Sequence, residues 1–428
     1  MTAWRPSRFG LALFSIAVSA LAVRLLYAQQ LDDVVGLSDA VWYRHVANAL
    51  AHGHGFTIGT KPAGHSATTF TLVGPRVPTA FHPPLFPALL AIPAKLGVTS
   101  YAGLRVVGCV LGAGMAAVVG LVGRRVGGER LGLLAAALAA IYPPLVANES
   151  ILMSESLYGL MIALTILTAL WASEAPTWRR AAVLGAVIGL DALTRAEGLL
   201  LLVLLVPFVV RRVRPGASRR YLVALAAAAV VVAPWCVRNS LQFDRPLGIS
   251  TGDGAVLAGA NNEISYHGDR TGTWQFSALA VPASAGVDPH DDADIGEYQR
   301  GKGLDYLRAH DGRVPLVALA RVLRTWGLFP LDPSTHAHQE SFTSGRRLSV
   351  AWVALAAGWA ATALALGGAL LLRRRGLLCA ALLAPIALVT IDSAVFYGDV
   401  RFREAADISL VVLAAVALTH VYTLARGR

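Results

Sequence analysis

The fold of this sequence depends on how one stretch is placed, His82-Pro-Pro-Leu-Phe-Pro-Ala-Leu-Leu-Ala-Ile-Pro-Ala-Lys95. The stretch is apolar, but it is short for the ~30 Å hydrocarbon core of a bilayer, and Pro87 and Pro93 interrupt it. If it crosses a membrane, every later segment lies on the opposite side from where it would otherwise lie. Its placement therefore decides the topology of the whole chain.

The composition is that of a protein that crosses a membrane many times. Of its 428 residues 55% are hydrophobic and 15% are charged, against ~25% charged in soluble domains. An apolar run from Phe9 to Tyr27 is followed by candidate spans at 102–122, 131–147, 157–172, 181–195, 197–211, 221–237, 350–372, 376–396 and 407–424. The predicted class is an all-α polytopic membrane protein.

Arginine clusters between the apolar runs set the topology. They explain the net charge of +11 better than nucleic-acid binding does, and no nucleic-acid partner is expected. If the stretch at 82–95 does not cross, these clusters share the side of Arg5 and Arg8: Arg124, Arg125, Arg130, Arg179, Arg180, 211–220, 373–375, Arg426 and Arg428. If it crosses, most of them lie outside. We therefore predict ten spans, both termini cytoplasmic, and residues 82–97 as an interfacial or re-entrant helix.

Three parts of the chain follow from this topology. Residues 1–237 form an N-terminal transmembrane module with a first outer loop at 29–101, residues 238–349 a long outer loop, and residues 350–428 the C-terminal spans. In the long loop, Ile249–Asp294 is expected to be irregular, and Val314–Leu331, with Arg321 and Arg324 among apolar residues, is expected to be an interfacial helix. Only three of the 37 basic residues are lysines, which indicates a GC-rich genome and hence a bacterial plasma (inner) membrane.

Residues 39–52 of the first outer loop are predicted to form a short helix that ends before Gly53 and Gly55. One face of that helix carries a helical repeat of Asp39, Trp42, Tyr43, Val46 and Leu50. A helix of this kind beside a span is expected to lie in the membrane interface. Asp39 occupies the first turn, where free amide groups favour a carboxylate, so it either caps the helix or has a chemical role.

The predicted outer face collects both signs of charge at the ends of spans. Its members are Asp39, His82, Glu149, Glu155, Arg195, Glu197, Arg238, Asn239, Asp399, Arg401, Arg403 and Glu404. Any one of them could reach water by extending along the interface, but positive charge near spans is disfavoured on this side. The four arginines therefore indicate an anionic ligand, for which the guanidinium fork suits phosphate oxygens. Ion pairs with Glu197, Asp399 and Glu404 are the competing explanation.

Six short motifs occur in an order that resembles the GT-C membrane glycosyltransferases, in the branch with the protein O-mannosyltransferases and aminoarabinose transferases. They are Asp39-x-x-x-Tyr43 followed by Gly53-x-Gly55-Phe56, His82-Pro-Pro-Leu-Phe-Pro, Met153-Ser-Glu155, Leu193-Thr-Arg195-x-Glu197-Gly, Ala233-Pro-Trp-x-x-Arg238-Asn239 and Tyr397-Gly-x-x-Arg-Phe-Arg403. Each motif alone is weak, but the ordered set covers nearly the whole chain. One departure is the single acid at Asp39, where many relatives carry a pair.

The resemblance implies a fold, a reaction and a site. The fold would be a GT-C helical bundle, and the reaction the transfer of a sugar from a polyprenyl-phosphate carrier to an envelope acceptor at the outer face. Asp39 matches the presumed catalytic base, Glu155 the second acidic position, and His82 a polar position that is a metal ligand in some relatives. His82 and Glu155 are thus candidate ligands for a possible divalent metal. The predicted substrate-binding residues are Tyr43, His82, Arg195, Glu197, Arg238, Asn239, Arg401 and Arg403.

This chemistry needs few groups. An attacking hydroxyl must lose a proton as an oxocarbenium-like centre forms, and a phosphate leaves without a strong acid, so one carboxylate and cations that steady the phosphate suffice. A transporter or flippase of a lipid-linked or anionic substrate is the main alternative. It would place charges near the bilayer midplane in matched halves, whereas Asp191 and Asp392 are the only acids well inside spans and the halves do not match. A non-catalytic membrane protein is the second alternative.

Overall fold

The computed structural model describes residues 7–31, 38–63, 71–175, 177–210, 216–332, 334–336, 338 and 347–426. The long helices are α1 (Arg8–Ala28), α4 (Tyr101–Gly127), α5 (Glu129–Ile141), α7 (Glu155–Glu174), α8 (Trp178–Ala192), α11 (Ala217–Gln242), α16 (Leu348–Leu372), α17 (Leu377–Val395) and α18 (Glu404–Arg426). Shorter helices are α2 (Ser38–Ala51), α3 (Leu85–Lys95), α6 (Pro143–Glu149), α9 (Leu200–Leu204), α10 (Val206–Val210), α12 (Asp253–Ala260), α13 (Glu263–Tyr266), α14 (Asp292–Ala309) and α15 (Val314–Thr325). Strands β1 (Thr57–Ala63) and β2 (Thr71–Pro78) form an antiparallel hairpin.

The helices make this a multi-pass membrane protein. Within the described ranges, seven helices are long and apolar enough to cross a membrane, and an eighth crossing is possible if α5 and α6, bent by 57°, count as one. Pro143 and Pro144 follow Tyr142 at the bend, and proline cannot donate the backbone hydrogen bond that would continue α5. The other two predicted spans, 181–195 and 197–211, lie on α8, of 15 residues, and on a run that is broken between α9 and α10. All ten predicted spans are therefore helical, but fewer than ten are long enough to cross.

Most of the stretch at 82–95 forms α3, whose 11 residues rise only ~16 Å. It is too short to cross a bilayer, as the sequence predicts. Phe86 and Leu90 of α3 are buried in one apolar cluster with Val46 of α2, and the amide of Leu85 donates to the carbonyl of Leu193 (2.9 Å). This packing places His82, just before α3, beside the first turn of α2.

Helix α2 confirms the helix predicted at 39–52. It ends at Ala51, and Gly53 (φ 80°) and Gly55 (φ 69°) adopt the left-handed conformation that glycine reaches at little cost. Trp42, Tyr43 and Val46 are buried. The helix is therefore packed within the protein on this face, and Asp39 stands at its N-terminal end.

The described part of residues 238–349, the predicted long outer loop, is more ordered than the sequence predicts. The segment 249–294, expected to be irregular, contains α12 and α13, and α12 packs so closely on α14 that a Cβ on Gly254 would lie 1.9 Å from the carbonyl oxygen of Gly296. Helix α15 forms, but Arg321 and Arg324 are buried rather than directed at a headgroup layer. They donate to loop carbonyls instead, which replaces the water that these guanidinium groups would otherwise bind.

Candidate functional site

A small, partly open cavity lies where the ends of several helices meet. Its walls come from the first turns of α7 and α18, the turn after α8, helix α17 and the 3₁₀ turn Val400–Arg403. The lining residues are Glu155, Tyr158, Arg195, Glu197, Leu388, Val389, Asp392, Arg401, Phe402 and Glu404. Four of the predicted site residues, Glu155, Arg195, Glu197 and Arg401, are thus brought together.

Glu155 lies between the two cavity arginines. Its Oε1 is 3.3 Å from Arg195 Nη1 and 3.0 Å from Arg401 Nε. Arg195 Nε also contacts Glu197 Oε1 at 2.5 Å, and both guanidinium groups face the Phe402 ring at 5.2 Å. Of the ion pairs proposed as the competing explanation, the one between Arg195 and Glu197 is formed, and the further acidic partner of both cavity arginines is Glu155. A bound phosphate would have to take over contacts that Glu155 and Glu197 now make.

Asp39 and His82 form a second group close to this cavity. Asp39 Oδ1 lies 3.5 Å from His82 Nε2, and the Asp39 side chain keeps 30% of its surface exposed. The His82 ring stacks on Tyr43 with centroids 4.9 Å apart and meets the edge of Trp42 at 4.9 Å. Asp39 thus lies beside a histidine whose ring is packed against two aromatic side chains, and its own carboxylate stays partly exposed.

The charges of the two groups act on each other. Burial alone would raise the pKa of Asp39, but His82, then Arg401 and Arg195, outweigh it and hold that pKa well below its ordinary value. Burial, followed by the negative charge of Asp39, raises the pKa of the Tyr43 hydroxyl above its usual range. Asp39 is therefore an ionised carboxylate that shares one electrostatic environment with the cavity arginines.

Besides Tyr43 and His82, three predicted substrate-binding residues are not part of the cavity lining: Arg238, Asn239 and Arg403. Arg238 Nη1 and Nη2 donate to the carbonyls of Thr79 (3.0 Å) and Phe56 (3.1 Å), at the two ends of the hairpin, and Asn239 donates to the carbonyl of Gly248 (2.9 Å). Arg403 is fully buried, and its Nε lies 3.0 Å from Asp407 Oδ1 inside the helix bundle. These contacts hold parts of the fold together, and the role of the three residues in binding substrate stays a prediction.

The described part of the chain offers no set of ligands for the divalent metal that the resemblance implies. Nowhere in it do three or more His, Cys, Asp or Glu side chains converge closely enough to hold an ion. His82 has Asp39 as an acidic neighbour, while Glu155 is engaged by two arginines. A divalent metal at His82 and Glu155 therefore does not fit this arrangement.

Tyr158, Asp392 and Phe402 are among the cavity residues that sequence reasoning did not assign to the site. Asp392 had a usable signal, since an acid inside an apolar span marks a polar cavity or a paired site. Tyr158 follows Glu155 by one helical turn, and Phe402 stands between two arginines. Their positions could have been inferred from those neighbours, but their chemistry could not.

The comparisons with known proteins agree on a fold. Residues 81–237 match the family model described as dolichyl-phosphate-mannose-protein mannosyltransferase. The archaeal oligosaccharyltransferase AglB from Archaeoglobus fulgidus, solved with an inhibitory peptide and a dolichol-phosphate, is similar at a TM-score of 0.56 and 17% identity over 97% of this chain and 51% of that one. Its apo form matches at 0.56 and 17%, over 100% and 52%.

A third structure, ArnT from Cupriavidus metallidurans bound to undecaprenyl phosphate, has a TM-score of 0.44 and 14% identity over 97% and 79% of the two chains, too low a score to argue from. No curated protein matches the sequence. The chain spans about half the length of the AglB chain that it resembles. It has the GT-C fold that the sequence motifs predict, and the AglB structures that it resembles are those of an oligosaccharyltransferase.

Proposed function

We propose that this protein is a membrane glycosyltransferase, which moves a sugar from a polyprenyl-phosphate carrier to an envelope acceptor at the outer face of a bacterial inner membrane. One observation carries the proposal: the ionised carboxylate of Asp39 stands beside a cavity that contains two arginines. The family match and the dolichol-phosphate in the AglB structure support the same class of donor. The identity of the sugar is left open by all of these observations.

The cavity arginines would hold the leaving phosphate. Arg195 and Arg401 together present two guanidinium forks, and a phosphate has more acceptor oxygens than the single carboxylate of Glu155 that they now share. As the bond to the sugar breaks, negative charge grows on the phosphate, and fixed cations in a partly enclosed site stabilise that charge. Glu155, freed from one arginine, could then accept a hydrogen bond from the sugar or the acceptor.

Asp39 would act on the acceptor hydroxyl. Because its pKa is held well below the ordinary value, it is a weak base but is fully ionised at neutral pH. An oxocarbenium-like transition state makes the attacking hydroxyl more acidic as the new bond forms, so late proton removal suffices. The same negative charge favours the developing positive charge on the anomeric carbon.

The Asp39→Asn variant tests this assignment. It keeps the size of the side chain but cannot take a proton, so we expect transfer to fall about 10²-fold or more while donor binding and expression stay near wild type. Transfer would be measured as loss of lipid-linked sugar in single turnover, with Glu155→Gln as the paired variant. Wild-type rates for Asp39→Asn, together with loss in Glu155→Gln, would reverse the two roles.

The proposal includes an orientation in the membrane. Both termini and the arginine clusters are placed in the cytoplasm, and the cavity faces outside. A cysteine introduced at Gly268, in the long outer loop, should react with an impermeant thiol reagent in intact cells, and one at Gly216 should not. Labelling at Gly216 alone would invert the topology.

A further inference from the structure

The long outer loop holds Thr79, Ala80 and Phe81, the three residues that precede His82. The carbonyl of Ala80 accepts a hydrogen bond from the amide of Thr251 (2.9 Å), and the carbonyl of Phe81 accepts one from Ser250 Oγ (2.5 Å). A Cβ on Gly252 would lie only 2.5 Å from that same carbonyl oxygen. The chain just before His82 is therefore fixed from the outer side by segment 250–252.

Asp292 adds a side-chain contact to the same segment before His82. It lies in the first turn of α14, and its Oδ2 accepts hydrogen bonds from Thr79 Oγ1 at 2.5 Å and from the amide of Ala80 at 3.2 Å. Thr79 is fully buried. A carboxylate of the outer loop thus binds both the side chain and the backbone of the segment that places His82.

The carboxylate also decides which way the Thr79 hydroxyl points. Asp292 Oδ2 already accepts from the amide of Ala80, and Thr79 Oγ1 accepts from two N–H groups, so the single proton of Oγ1 is donated to Asp292. The lone pairs of Oγ1 then accept from Trp42 Nε1 (3.2 Å) and from the amide of Phe81 (3.3 Å). One hydroxyl therefore ties the outer loop to helix α2, and its orientation depends on Asp292.

Trp42 is the link to the proposed reacting groups. It follows Asp39 by three residues on α2, so the two lie on the same side of the helix. Its ring stands nearly perpendicular to the His82 ring, at 83°, with the two ring centroids 4.9 Å apart. A change at Thr79 reaches His82 by two routes, through the Trp42 ring and through the backbone from Ala80 to His82.

The geometry points to Asp292 as a positioning residue: through Thr79 and Trp42, the outer loop sets the places of Asp39 and His82. This inference rests on the proposed function for its kinetic consequence, but the placement itself does not require that the protein be an enzyme. Asp292 is not among the cavity-lining residues, so its effect on the donor should be indirect.

The matched variants are Asp292→Ala, Asp292→Asn and Asp294→Ala in the full chain. Asn at 292 keeps an accepting oxygen, whereas Ala loses it; Asp294 lies on the same helix and pairs with Arg245 at 2.5 Å instead. We expect Asp292→Ala to lower kcat about tenfold with the donor KM within about twofold, because the reacting groups shift while the donor cavity stays. Asp292→Asn should recover most of that loss, and Asp294→Ala should leave kcat within about twofold.

A second measurement tests the placement of His82 without requiring sugar transfer. Diethyl pyrocarbonate modification of His82, followed by peptide mass spectrometry, should be faster in Asp292→Ala by about threefold or more and unchanged in Asp294→Ala. Equal His82 modification in wild type and Asp292→Ala would overturn the inference, as would a kcat that Asp292→Asn fails to restore. If wild-type protein transfers no sugar, the proposed function fails, and the His82 labelling still decides the positioning role.

Discussion

Arg401 and Arg403 are two residues apart in the same turn, but their side chains lie in different environments. Arg401 lines the cavity, with its Nε 3.0 Å from Glu155. Arg403 is fully buried between α16 and α18, where it pairs with Asp407, which also accepts a hydrogen bond from Tyr142 (3.0 Å). The first is placed to meet a ligand, and the second meets only the protein.

The turn itself causes the difference. Val400–Arg403 is a 3₁₀ turn, in which each residue rotates ~120°, so side chains two residues apart point in directions ~120° apart. Asp399 fixes the start of the turn, since its Oδ1 accepts from the amide of Arg401 at 2.9 Å. Both arginines carry the same charge and lie at the same end of α18, so neither property distinguishes them. The conformation of the turn decides which side chain faces the cavity and which is buried among the helices.

The largest effect should come from Arg403→Ala. It leaves the buried Asp407 carboxylate without its cation, which we expect to lower the free energy of unfolding by ~3–5 kcal/mol. Thermal unfolding in detergent measures the change. Replacing both partners, as Arg403→Met with Asp407→Leu, should recover much of the loss, because no buried charge then remains unpaired. A stable Arg403→Ala protein with weakened donor binding would show that Arg403, too, serves the ligand.

Arg401→Ala should act on binding instead. Losing one charged hydrogen bond to the phosphate should weaken binding of the lipid donor by ~1.5–3 kcal/mol, with a smaller loss of stability than Arg403→Ala. Titration with a polyprenyl phosphate in nanodiscs measures the affinity. Arg245→Ala is the control, because this arginine pairs with Asp294 and Glu297 on the outer loop, away from the cavity. An unchanged affinity in Arg401→Ala would favour the ion-pair explanation for the cavity arginines.

A smaller effect is expected at Gly358, which lies against Arg403. A Cβ there would come within 2.1 Å of Arg403 Nη2, so Gly358→Ala must displace the guanidinium and should cost ~1–3 kcal/mol of stability. Gly367→Ala on the same helix is the matched control, since its Cβ would make only an ordinary contact, 3.8 Å from Ala417. Both are compared by thermal unfolding. Equal stability of the two variants would mean that the space around Arg403 is looser than its burial indicates.

The smallest expected effect concerns pH and belongs to the cavity side alone. The pKa of Asp39 is depressed, so the carboxylate stays charged, and its stabilising contacts persist, until pH falls below its ordinary value of 3.8. Single-turnover rates should therefore show no acid limb from Asp39 between about pH 8 and 5. Arg401→Ala removes one of the charges that lower this pKa and should move it upward. An acid limb near pH 6 that disappears in Asp39→Asn would contradict the assignment.

The sequence predicts the fold well because its signals are local. Apolar run length and arginine clusters locate the helices, and the prolines of the 82–95 stretch mark it as too short to cross. The glycines at 53 and 55 end α2 where expected. Helix length in the folded chain was harder to predict, since the break at Tyr142–Pro143 and the one between α9 and α10 depend on packing as well as on composition.

The site is predictable in part. Motif order brings Asp39, Glu155, Arg195 and Arg401 to one region, and they do lie there. The direction of a long arginine side chain depends on acceptors distant in sequence, such as the Thr79 and Phe56 carbonyls for Arg238, so its partner could not be read from a motif. Asp292 gave no signal, because it is one of several acids in a polar segment.

The contact between Thr79 and Asp292 joins residues 213 positions apart, and this separation has a consequence for biosynthesis. At ~5–20 residues per second, roughly 10–40 s of translation separates the emergence of the two residues. During that interval the first outer loop has already been made. Its hydrogen bonds to segment 250–252 and to Asp292 cannot form until α11 has been inserted and the long loop has folded. On the proposed function, a nascent chain would therefore hold the Asp39 carboxylate unaligned, and transfer would begin only when the later loop docks on the earlier one.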